Sequence, residues 1–165
     1  FDYVINCAGM GAIKFAKQSF PDHKFPHNNF VKGIYFMTKE NLKLKKIVYR
    51  AMIPGDVKER IDITPLLSGG YIFGPSVEKT KSINKKKLKY KFINGIKNYL
   101  PRINEKKIIY FKEGIRPKIM FNGIKSNEDF YIKKMKNYNW INLFGMESPG
   151  LTSALAIAKY VKGII

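Results

Sequence analysis

The residues best suited to chemistry lie in NLFGMESPGLTSALAIAKYV, residues 142–161. An apolar, strand-like run stops at Gly145, crosses Glu147-Ser148-Pro149-Gly150 and enters an Ala-rich segment with helical spacing. Ser148 reads as an N-cap whose hydroxyl accepts from backbone N–H groups one turn in. Pro149 suits the first helical position, where its missing N–H would have been unbonded anyway. Leu151, Ala154, Leu155, Ala158 and Val161 then form one buried stripe, and Lys159 and Lys162 favour the negative end of the helix dipole. Ordinary capping explains all of this except Gly145 and Gly150, which flank the cap and bring backbone close to whatever lies outside. A helix N-terminus with free N–H groups stabilises an anion or a developing negative charge. On these residues alone both readings stand.

Other constellations carry less. An apolar strand pattern, FDYVINCAG, runs into Gly9-Met10-Gly11, which invites a dinucleotide fingerprint. Lys14 occupies the place of the third glycine, and no acidic residue follows at the usual distance behind a strand. His23 and His27 are four apart, but Pro26 between them forbids an ordinary helix interior, so they read as surface-loop histidines and not as a metal face. Cys7 is the single cysteine; it forms no internal disulfide and assembles no thiolate metal site.

The elements that must position these residues follow two patterns. Residues 1–20 read as strand, small-residue turn and short helix, and residues 20–30 as a loop with two prolines. From 30 to 78 the pattern is of strands: FVKGIYFMT, KKIVYRAMI, RIDIT and GYIFGP, with a turn at Gly55 and a hairpin through LLSGGYIF. The lysine run EKTKSINKKKLKYK reads as a solvated loop or helix face. FINGIKNYLPRI shows helical spacing at Phe92, Ile93, Ile96, Tyr99 and Leu100, stopped by Pro101. The last third returns to α/β alternation. KKIIYF is a strand entering a turn at residues 114–117, EDFYIKKM and NWINLFG are strands, and the terminal helix follows. A chain that leaves a nucleotide-type domain, builds a sheet platform and returns has the organisation of a two-domain cofactor enzyme.

At 165 residues, 45% hydrophobic and 14% aromatic, the chain has enough apolar material for a real core and is not of disordered composition. The lone cysteine points to a reduced, cytoplasmic setting. There is no apolar run near the length of a spanning helix, and neither end reads as a targeting peptide. The net charge of +19 supports contact with nucleic acid or anionic lipid. Its excess is mostly lysine, however, accompanied by Ile, Asn, Tyr and Phe. All share AT-rich codons, so base composition accounts for much of the bias. Nucleic acid is not expected as a partner, whereas peripheral membrane association is carried as an expectation.

VINCAG, GPSVE, EGIRPKI, EDFYI and above all NLFGMESPGLTSALAIAKYV resemble the C-terminal part of FAD-dependent oxidoreductases of the D-amino-acid-oxidase superfamily, and within it the L-2-hydroxyglutarate dehydrogenase/oxidase family. The matches keep family order and span nearly the whole chain. The resemblance implies a mixed α/β (α+β) fold in which part of a Rossmann-like FAD-binding domain, residues 1–20 and 106–165, is interleaved with an antiparallel substrate domain, residues 21–105. It implies FAD as cofactor, a small carboxylate substrate, and oxidation of an L-2-hydroxy acid by hydride transfer to flavin. Asn6 to Gly9 would close the FAD domain near the cofactor. Gly145, Ser148, Pro149, Gly150, Leu151 and Thr152 would form the loop and helix start that face the flavin ring, where backbone N–H groups stabilise negative charge. Arg116, in GIRP, matches an arginine that grips substrate carboxylate; its planar fork makes two parallel bonds that lysine cannot. The alternative for Arg116 is a structural turn arginine.

Two departures qualify the expectation. None of the 13 glycines supplies a strand–Gly-x-Gly-x-x-Gly–helix, so the chain is expected to be the later part of an enzyme, completed by a separate N-terminal FAD-binding chain or left as a fragment. Asp62, in RIDIT, stands where the family commonly carries histidine; an ordinary Asp is already ionised at neutral pH and a weak base. The rival readings are an FAD-dependent amino-acid or amine oxidase, and an inactive remnant or basic binding module.

Overall fold

The strand and helix patterns close into two compact units in the computed structural model, which describes residues 1–49, 51, 61–79, 84–121, 124–125 and 129–165. Residues 1–31 and 116–165 form one unit and residues 32–115 the other.

In the first unit β1 (Val4–Asn6) pairs in parallel with β8 (Trp140–Phe144), in register Val4 to Trp140 and Asn6 to Asn142. On its other side β8 pairs antiparallel with β7 (Tyr131–Lys134). Every residue of β8 is buried, as a strand covered on both faces requires. Alternation divides its side chains. Phe144 joins Ala12, Ile13 and Ala16 of α1 (Ala12–Ser19), together with Ile119. Ile141 and Leu143 pack against Val161 of α3 (Ala154–Gly163). Phe15 and Phe20 pack their rings on Trp140, each with centroids 5.1 Å apart, tying α1 and the following loop to the sheet. His23 lies in that loop with its ring near Phe20, Phe25 and Tyr138.

The second sheet has the order β3 (Asp62–Pro65), β4 (Tyr71–Gly74), β2 (His27–Thr38), β5 (Ile109–Phe121), β6 (Ile124–Lys125). β3 and β4 form the hairpin expected from LLSGGYIF; its turn is closed by Leu66 and Gly70, with the Leu66 N–H donating to the Gly70 carbonyl. α2 (Lys85–Lys97) buries Leu88, Phe92, Ile93 and Ile96 in the core of residues 32–115. Full burial of each such side chain stabilises by about 1.5–3 kcal/mol. The helix starts earlier than the Phe92 of its sequence pattern because Asn84 caps it, its side chain accepting from the Lys87 N–H at 3.0 Å.

Several expectations are corrected. The run expected to turn at residues 114–117 is continuous strand within β5. Among the described residues β6 pairs only with Met120 and Phe121 and does not reach Pro117; proline is tolerated where a strand is unpaired on one side. His27 opens β2 and is not in the loop. Of the strand expected over residues 45–53, Val48 makes only an isolated two-bond bridge with Ile63 and its described neighbours form no strand, while residues 50, 52 and 53 and the turn at Gly55 lie outside the described residues. The division between the two compact units falls inside β2 and β5.

The terminal helix begins at Ala154, not at Pro149. Residues 147–153 instead wind through tight turns: the Gly150 N–H donates to Glu147, Ser153 to Pro149 and Ala154 to Leu151. Ser148 makes no cap bond, and the hydroxyl of Thr152 donates to the Pro149 carbonyl at 2.9 Å. The expected buried stripe is also absent: Val161 is buried, but Leu151 is 92% and Leu155 88% exposed, and Ala154 and Ala158 are exposed too.

Candidate functional site

Arg116 projects from β5 on the half-buried face it shares with Lys118 and Met120, while Pro117 and Ile119 alternate inward. Its guanidinium has no hydrogen-bond or ion-pair partner among the described residues. Five donors held half out of water without an acceptor are costly unless a ligand or water meets them. One step along the same face, about 6.6–6.8 Å by strand rise, Lys118 binds Glu147 at 2.7 Å. Gly145 lies beside Ile119, which a Cβ on the glycine would approach to 3.6 Å, and its φ of +71° turns the chain out of β8. Thus β5 carries Arg116 and, through Lys118 and Ile119, holds the 145–147 corner that starts the Ser148–Thr152 turns. Gly150 and Leu151 line one groove with Ile5 and Cys7, so the two expected cofactor segments share a wall.

A buried polar network shapes the first of these segments. The Asn6 side-chain amide donates to the Ala12 carbonyl at 2.8 Å and to Asn142 Oδ1 at 2.9 Å. Asn142 Oδ1 also accepts from the Trp140 indole at 2.8 Å, and the Ala8 N–H approaches Asn6 Oδ1 at 3.4 Å. Asn6 and Asn142 are each 2% exposed. One side chain therefore clamps both ends of the Ala8–Ala12 turn and leaves its glycines facing out.

In the other unit, Lys32 binds Glu113 at 2.7 Å, and the Tyr110 hydroxyl reaches the same carboxylate at 3.4 Å. The hydrogen bond from Lys32 holds the Glu113 carboxyl below its ordinary pKa. Desolvation and then the Glu113 charge push the Tyr110 hydroxyl up. Asp62 heads β3, half-buried and opposite Gly74.

The family model for FAD dependent oxidoreductases (DAO) matches residues 1–163. The chain belongs to this family. It is 35% identical over 96% of its length to a mitochondrial L-2-hydroxyglutarate dehydrogenase of Arabidopsis thaliana, covering 36% of that protein. It is also 35% identical over 78% of its length to a glycerol 3-phosphate oxidase of Mycoplasma genitalium, covering 34% of that protein. The chain thus spans about a third of the curated relatives it matches. Among solved structures, the FAD-bound, dithionite-reduced L-alpha-glycerophosphate oxidase of Mycoplasma pneumoniae superposes with a TM-score of 0.70 at 22% identity, over 95% of this chain and 41% of that one. An FAD complex of glycerol-3-phosphate dehydrogenase from Bacillus halodurans gives 0.59 at 14% identity, over 98% of this chain and 32% of that one. At such identities the likeness is one of fold: a mixed α/β arrangement with a parallel-containing sheet and an antiparallel sheet.

The family's cofactor fits what the residues offer. A Cβ built on Gly9 or Gly11 meets nothing within 4 Å, and at Gly11 neither conformation nor crowding calls for glycine; the turn presents open backbone. The N–H groups of Leu151 and Thr152 meet no acceptor among the described residues. Such donors suit an anionic edge. Sequence reasoning missed Asn142, Trp140 and the Lys118–Glu147 pair. The available signal was Asn142 itself, the one polar residue in the apolar run WINLF; Lys118 and Glu147 meet only through the fold.

Proposed function

We propose that this chain is the part of an FAD-dependent dehydrogenase or oxidase of small L-2-hydroxy acids that carries the carboxylate clamp and the flavin-ring turn, with L-2-hydroxyglutarate as its model substrate. The observation that carries this reading is Arg116, half-buried on β5 and without a partner among the described residues. The relative of similar sequence over nearly the whole chain, a dehydrogenase of L-2-hydroxyglutarate, supports the substrate class. FAD, when bound, supplies the acceptor for the hydride lost from the hydroxyl-bearing carbon. Arg116 binds and orients the substrate carboxylate through its two-pronged fork. The N–H groups of Leu151 and Thr152 hold the flavin's anionic edge, and the backbone at Gly145, Ser148, Pro149 and Gly150 packs beside the ring. Gly9 gives the cofactor close access to the turn after β1. On this reading residues 1–31 and 116–165 belong to the FAD-binding domain, and residues 32–115 to the substrate domain.

A second reading has its own support. The glycerol 3-phosphate oxidase relative and the glycerophosphate oxidase fold fit a phosphate in place of the carboxylate, and an arginine fork serves either anion. A sister amino-acid oxidase would share the arginine and differ in the pocket. Turnover by the complete flavoprotein of L-2-hydroxyglutarate, glycerol 3-phosphate and L-glutamate separates the three.

The direct test is Arg116→Ala and Arg116→Lys in that flavoprotein. Charge-assisted bonds contribute about 1.5–3 kcal/mol each, so the Ala variant lowers kcat/KM at least ~10- to 100-fold and the Lys variant falls between it and wild type. Flavin content stays near normal, because the flavin contacts are assigned to other segments. Loss of flavin or of folding with unchanged turnover per bound flavin makes Arg116 structural and removes the clamp.

A further inference from the structure

We infer that the Lys118–Glu147 pair sets the charge that the Arg116 clamp accepts: it leaves one net positive charge there, which suits a monoanionic group such as a carboxylate and disfavours a phosphate dianion. The inference rests on the clamp reading of Arg116 proposed above and decides between the two anions which that reading leaves open.

The three side chains belong to one compact unit. Arg116 and Lys118 stand on the same face of β5, about 6.6–6.8 Å apart along the strand. The four-carbon stem of an unpaired lysine spans that distance. Lys118, however, is held elsewhere. Its ammonium lies 2.7 Å from Glu147 Oε1, with the two side chains 30% and 18% exposed. Glu147 is fixed in turn by its own backbone: its N–H donates to the Gly145 carbonyl at 2.8 Å, and its carbonyl accepts from the Gly150 N–H at 2.6 Å. The lysine is therefore tied to a stiff corner, while Arg116 has no partner among the described residues.

Charge then discriminates where shape does not. An arginine fork matches carboxylate and phosphate alike. A phosphate monoester carries about 1.5–2 negative charges near neutral pH. Its second charge finds the neighbouring cation already neutralised and a carboxylate standing beside it. A carboxylate ligand carries a single charge and meets no such penalty. Specificity commonly depends on a repulsive element of this kind. The alternative is mechanical: the pair only fastens the 145–147 corner to β5, and its loss changes stability without changing preference.

The experiment uses the complete flavoprotein and measures competitive inhibition by ethyl phosphate and ethyl sulfate, esters of similar shape that differ in charge. Wild type binds the sulfate ester more tightly. Glu147→Gln frees Lys118 and shifts the ratio toward phosphate by about tenfold or more, with a parallel gain of glycerol 3-phosphate over L-2-hydroxyglutarate in kcat/KM. Lys118→Met leaves Glu147 unpaired and shifts the ratio the other way. Lys118→Met/Glu147→Gln restores one net charge and returns the ratio toward wild type, and Lys118→Arg, which keeps the pair, preserves it. A wild-type preference for the phosphate ester overturns the inference, as does an unmoved ratio in Glu147→Gln. A shift of the same size and direction in both single variants and the double variant also overturns it, because that marks a disturbed corner. Arg116→Ala keeps this inference apart from the clamp reading. Unchanged kcat/KM in Arg116→Ala defeats the clamp itself, whereas a lowered value with an unmoved ratio in Glu147→Gln defeats the charge selection alone.

Discussion

Replacing Asn142 with alanine tests the buried network that positions the turn after β1. The substitution removes the one oxygen that accepts from both Asn6 Nδ2 and Trp140 Nε1, at 2.9 and 2.8 Å. Asn142 is 2% exposed and Trp140 9%, so water does not readily replace it. The second Asn6 proton keeps its bond to the Ala12 carbonyl. Two buried donors are therefore orphaned, and each unsatisfied donor costs about 1–3 kcal/mol. Their sum, about 2–6 kcal/mol, is a large part of the roughly 5–15 kcal/mol that stabilises a typical domain. Urea unfolding followed by tryptophan emission measures it cleanly, because Trp140 is the single tryptophan and sits in the network. The midpoint falls while the urea slope stays constant. In a Trp140→Phe background one of the orphans no longer exists, so Asn142→Ala costs less there, with a coupling of about 0.5–3 kcal/mol read by circular dichroism. A loss below about 1 kcal/mol for Asn142→Ala, or strict additivity with Trp140→Phe, refutes the reasoning.

Glu147→Gln breaks the pair with Lys118; as the groups are 18% and 30% exposed, stability falls by at most about 1 kcal/mol, while amide exchange across residues 145–153 quickens. Unchanged protection there means that the pair does not hold the corner. The Lys32 hydrogen bond keeps the folded Glu113 pKa below its unfolded value. Its stabilisation is thus complete above the ordinary glutamate pKa and is lost as pH falls through the depressed one. A carboxyl titration followed by NMR places the Glu113 midpoint below that of free glutamate, and Lys32→Met raises it; an unmoved midpoint contradicts the assignment. This chain purified alone does not retain stoichiometric FAD, since the flavin end by itself must offset the entropy of ordering a large cofactor. Stoichiometric yellow protein from the chain alone refutes that.

The family was legible in the sequence because its motifs lie in contiguous stretches: NLFGMESPGLTSALA and EGIRPKI survive as strings of residues before any folding. Local signals also sufficed for the β3–β4 hairpin, where Ser68-Gly69-Gly70 separates two alternating runs, and for β8, whose unbroken apolar run announces burial on both faces. Glycine and proline misled at residues 114–117, because β5 is built by pairing with β2, distant in sequence, and not by local turn preference. The start of α3 moved to Ala154 for a related reason. Capping rules rate Ser148 by its own side chain, whereas the backbone bonds of residues 147–153 close tighter turns first. Arg116 could be named from its motif, but that no described residue partners it is a fact of the fold alone. So is the meeting of Asn6 with Asn142, which parallel pairing brings opposite across 136 positions. The clearest division lies in α3. Its periodicity declares an apolar face, since spacing is a property of the chain. Whether that face is covered depends on which surfaces reach it, and only the tertiary structure shows Leu151 and Leu155 standing open.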